Sequence, residues 1–467
     1  MVLIENVSFK YSGSDKYSLQ NINLKLDKGD CLLLTGPSGC GKSTITKLIN
    51  GLIPSYFEGE LTGKVSIEGT DVSEIPIYEL SKKVASVFQN PKTQFFNIDA
   101  EDEIVFSLEN QGVSNEIIWK RLEEAKEKLR LEKLIGKRLF EMSGGEKQII
   151  AFASAYVSDA KIVVLDEPSA NLDLDHIRII KDIMKKLMEQ GKVIVIAEHR
   201  LAYLKEMVTK VCYLRDGKIL HYYTGKEFYD MPDTERRKLG LRELTSTALN
   251  NLVLTEKISK VPELFTKAEE GVCIKNLRLK YDAWNGKEIN LSFQYGEVVG
   301  VVGHNGFGKT TFIRTLCGLL KEKSGDICVD GKKLTRSKRR KLYGMVMQDV
   351  NYQLFSRSVM EECYLGNGEV SKGKICELLE NLALADKVRV HPISLSGGEK
   401  QRLSIAVMLI GGKKILLLDE PTSGLDYENM MRISSILKDV AKQGALCIVV
   451  THDVEFINQV CSRVIGV

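Results

Sequence analysis

The chain has 467 residues, 43% of them hydrophobic and 27% charged, which is the balance of a folded globular protein and excludes extended disorder. At about 150 residues per domain, this length predicts two to four compact units. The formal net charge is only +4, so no strong overall field favours nucleic acid or anionic lipid as the main partner.

Apolar runs and cysteines in the sequence indicate in which compartment the protein works and whether it spans a membrane. No apolar run approaches the roughly 20 residues that cross a bilayer, so we expect any membrane span to come from another protein. The ten cysteines have no repeated Cys-x-x-Cys spacing, and the N-terminal residues do not resemble an export leader. These features predict a protein of the reducing cytoplasm.

The first strand-like segment shows that the chain repeats itself, because residues 4–11 recur at 274–281. Three later motifs recur after a constant 253 positions, at Ser143 and Ser396, Asp166 and Asp419, and His199 and His452. A period this long indicates a duplicated domain and not a solenoid repeat of about 20 to 50 residues. We predict domains at residues 1–230 and 271–467, joined by a linker at 231–270.

Short apolar runs that end at polar residues predict buried parallel strands, at Cys31–Thr35, 162–165 and 193–196. Between them, residues 116–137 predict an amphipathic helix. Its expected apolar face consists of Ile117, Ile118, Leu122, Ala125 and Leu129. The alternation predicts an α/β core with a helical insertion, and ligand sites then belong at the carboxyl ends of the strands.

A glycine-rich loop of the phosphate-binding pattern follows an apolar strand in each half, at residues 36–43 and 303–310. Its glycines let backbone N–H groups and a helix N-terminus surround phosphate oxygens, and Lys42 and Lys309 add positive charge. Ser43 and Thr310 would bind magnesium. The predicted nucleotide-binding residues are Gly36, Ser38, Gly39, Cys40, Gly41, Lys42, Ser43 and Thr44, with Gly303, Asn305, Gly306, Phe307, Gly308, Lys309, Thr310 and Thr311 in the second half.

Two adjacent carboxylates stand at a strand end in each half, Asp166 with Glu167 and Asp419 with Glu420. By the logic of phosphoryl transfer, the aspartates would act through the magnesium shell and the glutamates would polarise the attacking water. A solvated acidic turn is the alternative interpretation. The glycine-rich loops in the same halves favour the catalytic one.

The motif Ser-Gly-Gly-Glu-Lys-Gln at residues 143–148 and 396–401 resembles the signature of the ATP-binding cassette (ABC) ATPases. The resemblance covers essentially the whole chain. It implies an α/β fold of two P-loop NTPase domains, each with a RecA-like core, an antiparallel β subdomain and a helical signature subdomain.

In the ABC family this motif begins a helix and contacts the γ-phosphate of ATP held by the opposite domain. The resemblance therefore implies two composite ATP sites, pairing residues 36–43 with 396–399 and residues 303–310 with 143–146. The motif residues concerned are Ser143, Gly144, Gly145, Glu146, Ser396, Gly397, Gly398 and Glu399.

Further elements of the family match in order. Gln89 and Gln348 resemble Q-loop glutamines, which join Ser43, Asp166, Thr310 and Asp419 in the expected magnesium sites, and Asp173 and Asp426 close D-loops. His199 and His452 resemble switch histidines, which contact the γ-phosphate and orient the glutamates. Tyr11 and Tyr281 resemble aromatics that stack on adenine, with a plain strand aromatic as the alternative.

The halves also differ. Ile149 stands where the second half has Arg402, and the sequence stops at Val467, before the counterparts of the segment that follows His199. We therefore expect the two sites to differ in rate or stability.

A second glutamine follows each Q-loop glutamine after five residues, as Gln94 and Gln353, and two large apolar residues come next. This pattern resembles the ATPases of energy-coupling factor (ECF) transporters, which take up vitamins and trace metals in prokaryotes. In that family a groove here receives a helix of the transmembrane partner, whose arginines meet acidic residues. The candidates in this chain are Phe95, Phe96, Leu354, Phe355, Asp102, Glu103, Glu361 and Glu362. The alternative is that these apolar residues only pack the helical arm while the acids face solvent.

The ECF resemblance implies an ATPase on the cytoplasmic face of a prokaryotic membrane, with ATP and Mg²⁺ as cofactors. Its partners would be a transmembrane coupling subunit and a substrate-binding membrane subunit, without nucleic acid. Two other classes remain open: the ATPase of a sugar or peptide importer, and a soluble tandem factor acting on ribosomes or DNA.

Cys40 lies within the first glycine-rich loop, near a helix N-terminus. That position predicts a lowered thiol pKa and ready alkylation. The alternative is a small residue that the loop tolerates.

Overall fold

The computed structural model describes residues 1–170, 172–245, 270–281, 283–367 and 370–466. The chain divides into two compact units, Met1–Ser246 and Thr247–Val467. Residues 231–245, expected in the linker, pack with the first unit, since Leu241 and Leu244 are buried in its core. The rest of that linker up to residue 269, and Val467, lie outside the described residues.

The first unit begins with an antiparallel sheet of strand order β2-β1-β4-β5. Its strands are β1 Val2–Tyr11, β2 Leu19–Leu26, β4 Gly59–Ile67 and β5 Thr70–Asp71. Val2 and Ile4 of β1 are buried while Leu3 between them is exposed, because successive side chains of a strand face opposite sides.

The main sheet of the first unit has the order β10-β9-β3-β8-β7-β6. Its strands are β3 Cys31–Thr35, β6 Val84–Val87, β7 Ile162–Asp166, β8 Val193–Ala197, β9 Lys210–Arg215 and β10 Lys218–Thr224. All pairs are parallel except β10 with β9. The three runs predicted as buried parallel strands are confirmed.

Both faces of this sheet are covered by apolar residues. Val163 and Leu165 of β7 belong to the core on one face, and Ile162 and Val164 belong to the core on the other. A strand buried on both faces has no polar side, which is why it appears in the sequence as an unbroken apolar run.

The helices of the first unit are Lys42–Ile49, Leu52–Ser55, Ile77–Lys83, Ala100–Asn110, Asn115–Leu129, Gly144–Val157, Leu174–Glu189, Gly225–Tyr229 and Asp233–Lys238. The predicted helix at 116–137 thus ends at Leu129. Its expected apolar face is confirmed except at Ile117, which is 46% exposed. The predicted burial of Ile117 is wrong because Ile117 precedes the buried Ile118 by one residue. Successive residues of a helix are rotated by about 100° around its axis, so Ile117 faces away from the core.

The second unit repeats this plan. An antiparallel sheet has the order β12-β11-β14-β15, and a fully parallel sheet has the order β16-β17-β18-β13-β19. The strands are β11 Val272–Arg278, β12 Ile289–Phe293, β13 Val298–Val302, β14 Ser324–Val329, β15 Lys332–Lys333, β16 Tyr343–Val346, β17 Ile415–Asp419, β18 Leu446–Val450 and β19 Arg463–Gly466.

The helices of the second unit are Lys309–Cys317, Arg336–Leu342, Val359–Tyr364, Lys372–Asn381, Gly397–Ile410, Tyr427–Lys442 and Val454–Val460. In both units, therefore, a glycine-rich loop, an acidic strand end and a histidine follow three adjacent parallel strands at the same sheet edge. Over the part of the chain that the structure describes, every helix is too short or too polar to span a membrane.

Candidate functional site

The glycine-rich loop of the first unit joins β3 to the helix Lys42–Ile49. Gly36 has a φ of 144°, and a Cβ there would lie 2.0 Å from the carbonyl oxygen of Leu214, so only glycine fits. The Lys42 ammonium donates to the carbonyls of Gly36 at 3.0 Å and Pro37 at 2.9 Å. The loop therefore curls around a buried positive charge.

The second unit builds the same loop with different residues. The Lys309 ammonium donates to the carbonyls of Gly303 at 2.7 Å and His304 at 2.9 Å. The helix Lys309–Cys317 begins directly after Gly308, whose φ is 91°. Both loops end at the N-terminus of a helix, where backbone N–H groups and the helix dipole favour an anion.

The second residue of each loop helix contacts the aspartate at the neighbouring strand end. The Ser43 hydroxyl donates to Oδ1 of Asp166 at 2.9 Å, and the Thr310 hydroxyl donates to Oδ2 of Asp419 at 2.9 Å. Burial raises the pKa of both carboxyls above the ordinary value for aspartate. A cation beside these buried groups would favour their ionised form.

Hydroxyl and carboxylate oxygens are ligands that Mg²⁺ prefers, so this pair fits magnesium in each unit. Among the described residues no cluster of three or more His, Cys, Asp and Glu side chains could hold a metal. Gln89, expected to join this set, instead donates its side-chain N–H to Glu167 at 2.6 Å.

The glutamate after each aspartate adopts a backbone conformation that non-glycine residues rarely take. Glu167 has a φ of 45° and Glu420 a φ of 47°. In each, the backbone N–H donates at 2.8 Å to the neighbouring strand, at Ala197 and Val450. Such strain persists only where surrounding structure holds it, and it concentrates at functional sites.

The predicted switch histidines lie beside these glutamates. Nε2 of His199 is 3.6 Å from Oε1 of Glu167, and Nε2 of His452 is 3.7 Å from Oε1 of Glu420. Nε2 of His452 is also 3.1 Å from Oδ1 of Asn305 in the glycine-rich loop. His452 is thus placed between the loop and the glutamate of its own unit.

The helices Gly144–Val157 and Gly397–Ile410, called the signature helices below, begin at the predicted serines. Ser143 accepts from the Glu146 N–H at 3.2 Å, and Glu146 accepts from the Ser143 N–H at 2.8 Å. Ser396 and Glu399 form the same reciprocal cap. This cap fixes the first turn of each helix.

His176 is a residue that the sequence did not single out. Its Nδ1 lies 2.6 Å from Oδ1 of Asp173, whose hydrogen bond raises the pKa of His176 above 6.5. A Cβ at Gly145 would lie 2.4 Å from the His176 ring, so the signature helix packs directly on the imidazole. A histidine three residues after a helix-capping aspartate was the signal available in the sequence.

The two expected adenine-stacking tyrosines occupy different environments. Tyr11 ends β1, and its hydroxyl is 3.3 Å from that of Thr44 at the glycine-rich loop. Tyr281 follows the end of β11, has a φ of 61° and is 80% exposed. The structure therefore places Tyr11 beside the first loop, while Tyr281 stands in solvent.

The prediction of a lowered pKa for the Cys40 thiol is wrong. Cys40 is only 3% exposed, and burial raises the pKa of its thiol despite the Lys42 ammonium 3.8 Å from the sulfur. The apolar surroundings favour the neutral thiol more than the nearby charge favours the thiolate.

Several residues expected to meet a partner are internal. Glu103 is 5% exposed and accepts from the backbone N–H groups of Phe96 and Asn97. Glu362 is 2% exposed and accepts from the backbone of Phe355 in the same way. Leu354 is also buried. The prediction is wrong for these three, because the glutamates cap the turns that display the neighbouring aromatics.

The comparisons with known proteins match both units. The family model described as ABC transporter matches residues 19–170 and 286–423. A Treponema denticola protein named as an ABC transporter ATP-binding protein is 45% identical, covering 100% of this chain and 95% of that protein. A Methanosarcina mazei protein with the same description is 31% identical, with coverages of 100% and 87%.

Among solved structures, a crystal structure of an archaeal ribosomal stalk protein with an archaeal ribosome recycling factor contains a similar chain. It matches 99% of this chain and 87% of its own length, with a TM-score of 0.61 and 23% identity. At that identity the likeness shows the fold alone.

Proposed function

The chain belongs to the ABC transporter family as a tandem ATPase, and from that premise we propose that it energises an ECF-type importer of a vitamin or trace metal. The observation that carries this proposal is an exposed aromatic surface beside the Q-loop of each unit. We further propose that ATP is held in two composite sites, as the family resemblance implies.

In each proposed site, the chain's own residues divide the work of hydrolysis. The backbone of the glycine-rich loop and its lysine bind the phosphates, and Glu167 or Glu420 orients and polarises the attacking water. His199 and His452 would keep these glutamates directed at the reacting phosphate. Ser43 with Asp166 and Thr310 with Asp419 would hold Mg²⁺, which neutralises phosphate charge when bound.

The second glutamine after each Q-loop glutamine fixes the turn that carries the aromatic residues. Oε1 of Gln94 accepts from the Phe88 N–H at 3.1 Å, and Oε1 of Gln353 accepts from the Met347 N–H at 2.7 Å. These bonds give a structural reason for the ECF-like spacing. The turn then directs one aromatic of each pair outward, since Phe96 is 76% exposed and Phe355 is 73% exposed.

In the first unit the exposed surface extends beyond the residues that the sequence indicated. Ile98 is 61% exposed and Phe140 is 65% exposed, and the Ile98 carbonyl accepts from the Leu139 N–H at 2.7 Å. The segments of Phe96 and Phe140 are therefore adjacent. Asp102 is exposed on the helix that follows, so an apolar patch has an acidic neighbour.

The second unit also exposes apolar residues on the segments that correspond to Phe96 and Phe140. Tyr352 is 74% exposed, Ile393 is 66% exposed, and Glu361 is exposed near Phe355. Contiguous exposed apolar residues with a charged rim are typical of protein interaction sites, and a helix with apolar and basic residues suits such a surface. We propose that each unit binds a cytoplasmic helix of the transmembrane coupling subunit here.

The experiment is reconstitution of the chain in liposomes with the membrane proteins encoded beside its gene. We expect ATP-dependent uptake, and we expect Phe96→Ser with Phe355→Ser to weaken the complex about tenfold or more, the range of interface hot spots. Tyr78→Ser is the matched control, because Tyr78 is 66% exposed on a helix elsewhere in the first unit.

The outcomes separate the classes of protein. Loss of the complex without loss of the chain's own ATP hydrolysis supports the proposed surface. Equal complex formation by the serine variants and the wild type argues against it. ATP-dependent association with ribosomes, in place of the membrane proteins, would favour the soluble tandem factor.

A further inference from the structure

The residue before each switch histidine differs between the units, and in the second unit it contacts the glutamate. Thr451 is fully buried, and its hydroxyl donates to Oε2 of Glu420 at 3.0 Å. The backbone N–H of His452 approaches the same oxygen at 3.4 Å. Two neighbours that directly follow β18 therefore hold one oxygen of this carboxylate.

The first unit has Glu198 at this position, and its side chain serves another purpose. Oε2 of Glu198 accepts from the hydroxyls of Ser169 at 2.6 Å and Tyr203 at 3.0 Å. Its Oε1 accepts from the His199 N–H at 2.7 Å. These hydrogen bonds connect the segment of His199 to the loop after Glu167. The Glu198 carboxylate has no hydroxyl that could donate to Glu167.

In the second unit the corresponding connection is made by the residue that follows the histidine. Asp453, directly after His452, accepts from the Thr422 hydroxyl at 2.7 Å. Thr422 occupies the position that Ser169 has in the first unit. Because Asp453 makes this connection from the position after the histidine, the position before the histidine can carry Thr451, whose hydroxyl contacts Glu420.

We propose that Thr451 is a positioning residue for Glu420, a support that the first unit lacks at the matching position. The inference rests on the proposed role of Glu420 in polarising water. With Oε2 held by the hydroxyl, the carboxylate keeps its orientation toward the water, and small displacements of such groups are costly to the rate. In the first unit the corresponding support of Oε2 comes from Gln89, across 2.6 Å.

The test is steady ATP hydrolysis by the full chain with Glu167→Gln as the parent variant, in which Glu420 is the remaining catalytic glutamate, and with Thr451→Val, Thr451→Ala or Thr451→Ser added. We expect the valine and alanine changes to lower the parent's kcat about 3- to 10-fold, the worth of one hydrogen bond, with KM for ATP within about twofold of the parent's. The serine variant keeps the hydroxyl and should retain most of the parent's kcat. If the valine variant does not fold, the kcat of the alanine variant provides the test.

Ser434→Ala is the matched control. Ser434 is 1% exposed in the same unit, and its hydroxyl donates to the Met430 carbonyl at 2.9 Å, away from the glutamate. It should leave kcat unchanged. The proposal is overturned by an unchanged kcat in the valine and alanine variants, by a change confined to KM, or by a serine variant as slow as alanine.

Adding Glu420→Gln to the same Glu167→Gln parent distinguishes a failure of the proposed function from a failure of this inference. Turnover equal to the parent's would show that the proposed role of Glu420 is wrong. Lost turnover on adding Glu420→Gln, together with an unaffected Thr451→Ala, would show that only the positioning role of Thr451 is wrong.

Discussion

The two units share the backbone geometry of their sites and differ in the side chains that support it. Ser43 and Thr310 make the same 2.9 Å contact to their aspartates, and both glutamates take the same strained conformation. Before the switch histidine, the second unit has Thr451, which donates to Glu420, whereas the first unit has Glu198, which carries no hydroxyl; Gln89 donates to Glu167. Phosphate binding fixes the backbone, whereas the orientation of a carboxylate can be achieved in more than one way.

The two units also differ in the polar contacts between each signature helix and the helix packed against it. Arg402 of the second unit donates to Asn429 and, at 2.9 Å, to the Leu382 carbonyl. The first unit has Ile149 and His176 at the matching positions, and His176 bonds to Asp173 instead. Each unit therefore combines these two positions differently: Arg402 bonds to Asn429 in the second, whereas in the first Ile149 offers no polar group and His176 bonds to Asp173.

The largest effect should come from removing both glutamates. Glu167→Gln with Glu420→Gln should lower steady ATP hydrolysis at least about 100-fold, because general-base assistance contributes about 10²- to 10⁴-fold. Each single variant, measured by phosphate release, should retain a different residual rate, since the two glutamates are supported differently. Identical residual rates would contradict the comparison, and turnover in the double variant would contradict the catalytic assignment.

A smaller effect should separate the two signature helices. In Gly145→Ala the new methyl group would meet the His176 ring at 2.4 Å, whereas in Gly398→Ala it would meet the Asn429 side chain at 3.0 Å. Overpacking costs about 1 to 3 kcal/mol, so we expect Gly145→Ala to be the more destabilising change. Denaturant unfolding of both variants measures this, and equal midpoints would show that the packing does not differ.

A third effect, confined to acid conditions, is the pH dependence of His176. Its pKa is raised by Asp173, with Glu146 and Asp175 also nearby, so its stabilising contribution is complete below pH 6.5 and is lost as pH rises through the raised value. His176→Asn, the residue of the second unit, should therefore lower stability in acid by about 1.5 to 3 kcal/mol, the worth of a hydrogen bond to a charged group.

The stability difference between wild type and His176→Asn should shrink toward about pH 9, where the imidazole is neutral in the folded and unfolded chains. Thermal unfolding across this range provides the measurement. A constant difference between wild type and His176→Asn at every pH would remove the titration argument.

Most of the fold follows from local patterns in the sequence. Apolar runs such as Cys31–Thr35 predict strands because both faces of the sheet are buried. Ser143 and Glu146 three residues later predict a helix start, since their side chains and backbones satisfy each other. The strand-end carboxylates could also be placed together, because parallel strands end at one edge.

The remaining errors concern how individual side chains are used. Glu103 was expected to meet a partner, but only the folded turn shows that two backbone N–H groups need its carboxylate. Cys40 was expected to ionise, and its burial by distant parts of the chain decides otherwise. The support of Glu420 by Thr451 depends on contacts between residues 31 positions apart, which no local pattern reports.

We propose that each half supplies the phosphate-binding loop and the magnesium-binding pair of one of two ATP sites. The direct test is to count, by native mass spectrometry at saturating nucleotide, the MgATP molecules bound per chain by the Glu167→Gln, Glu420→Gln variant. Two bound molecules are expected, because both loops, both lysines and both hydroxyl–aspartate pairs have the same geometry. Saturation at one molecule per chain would contradict the account.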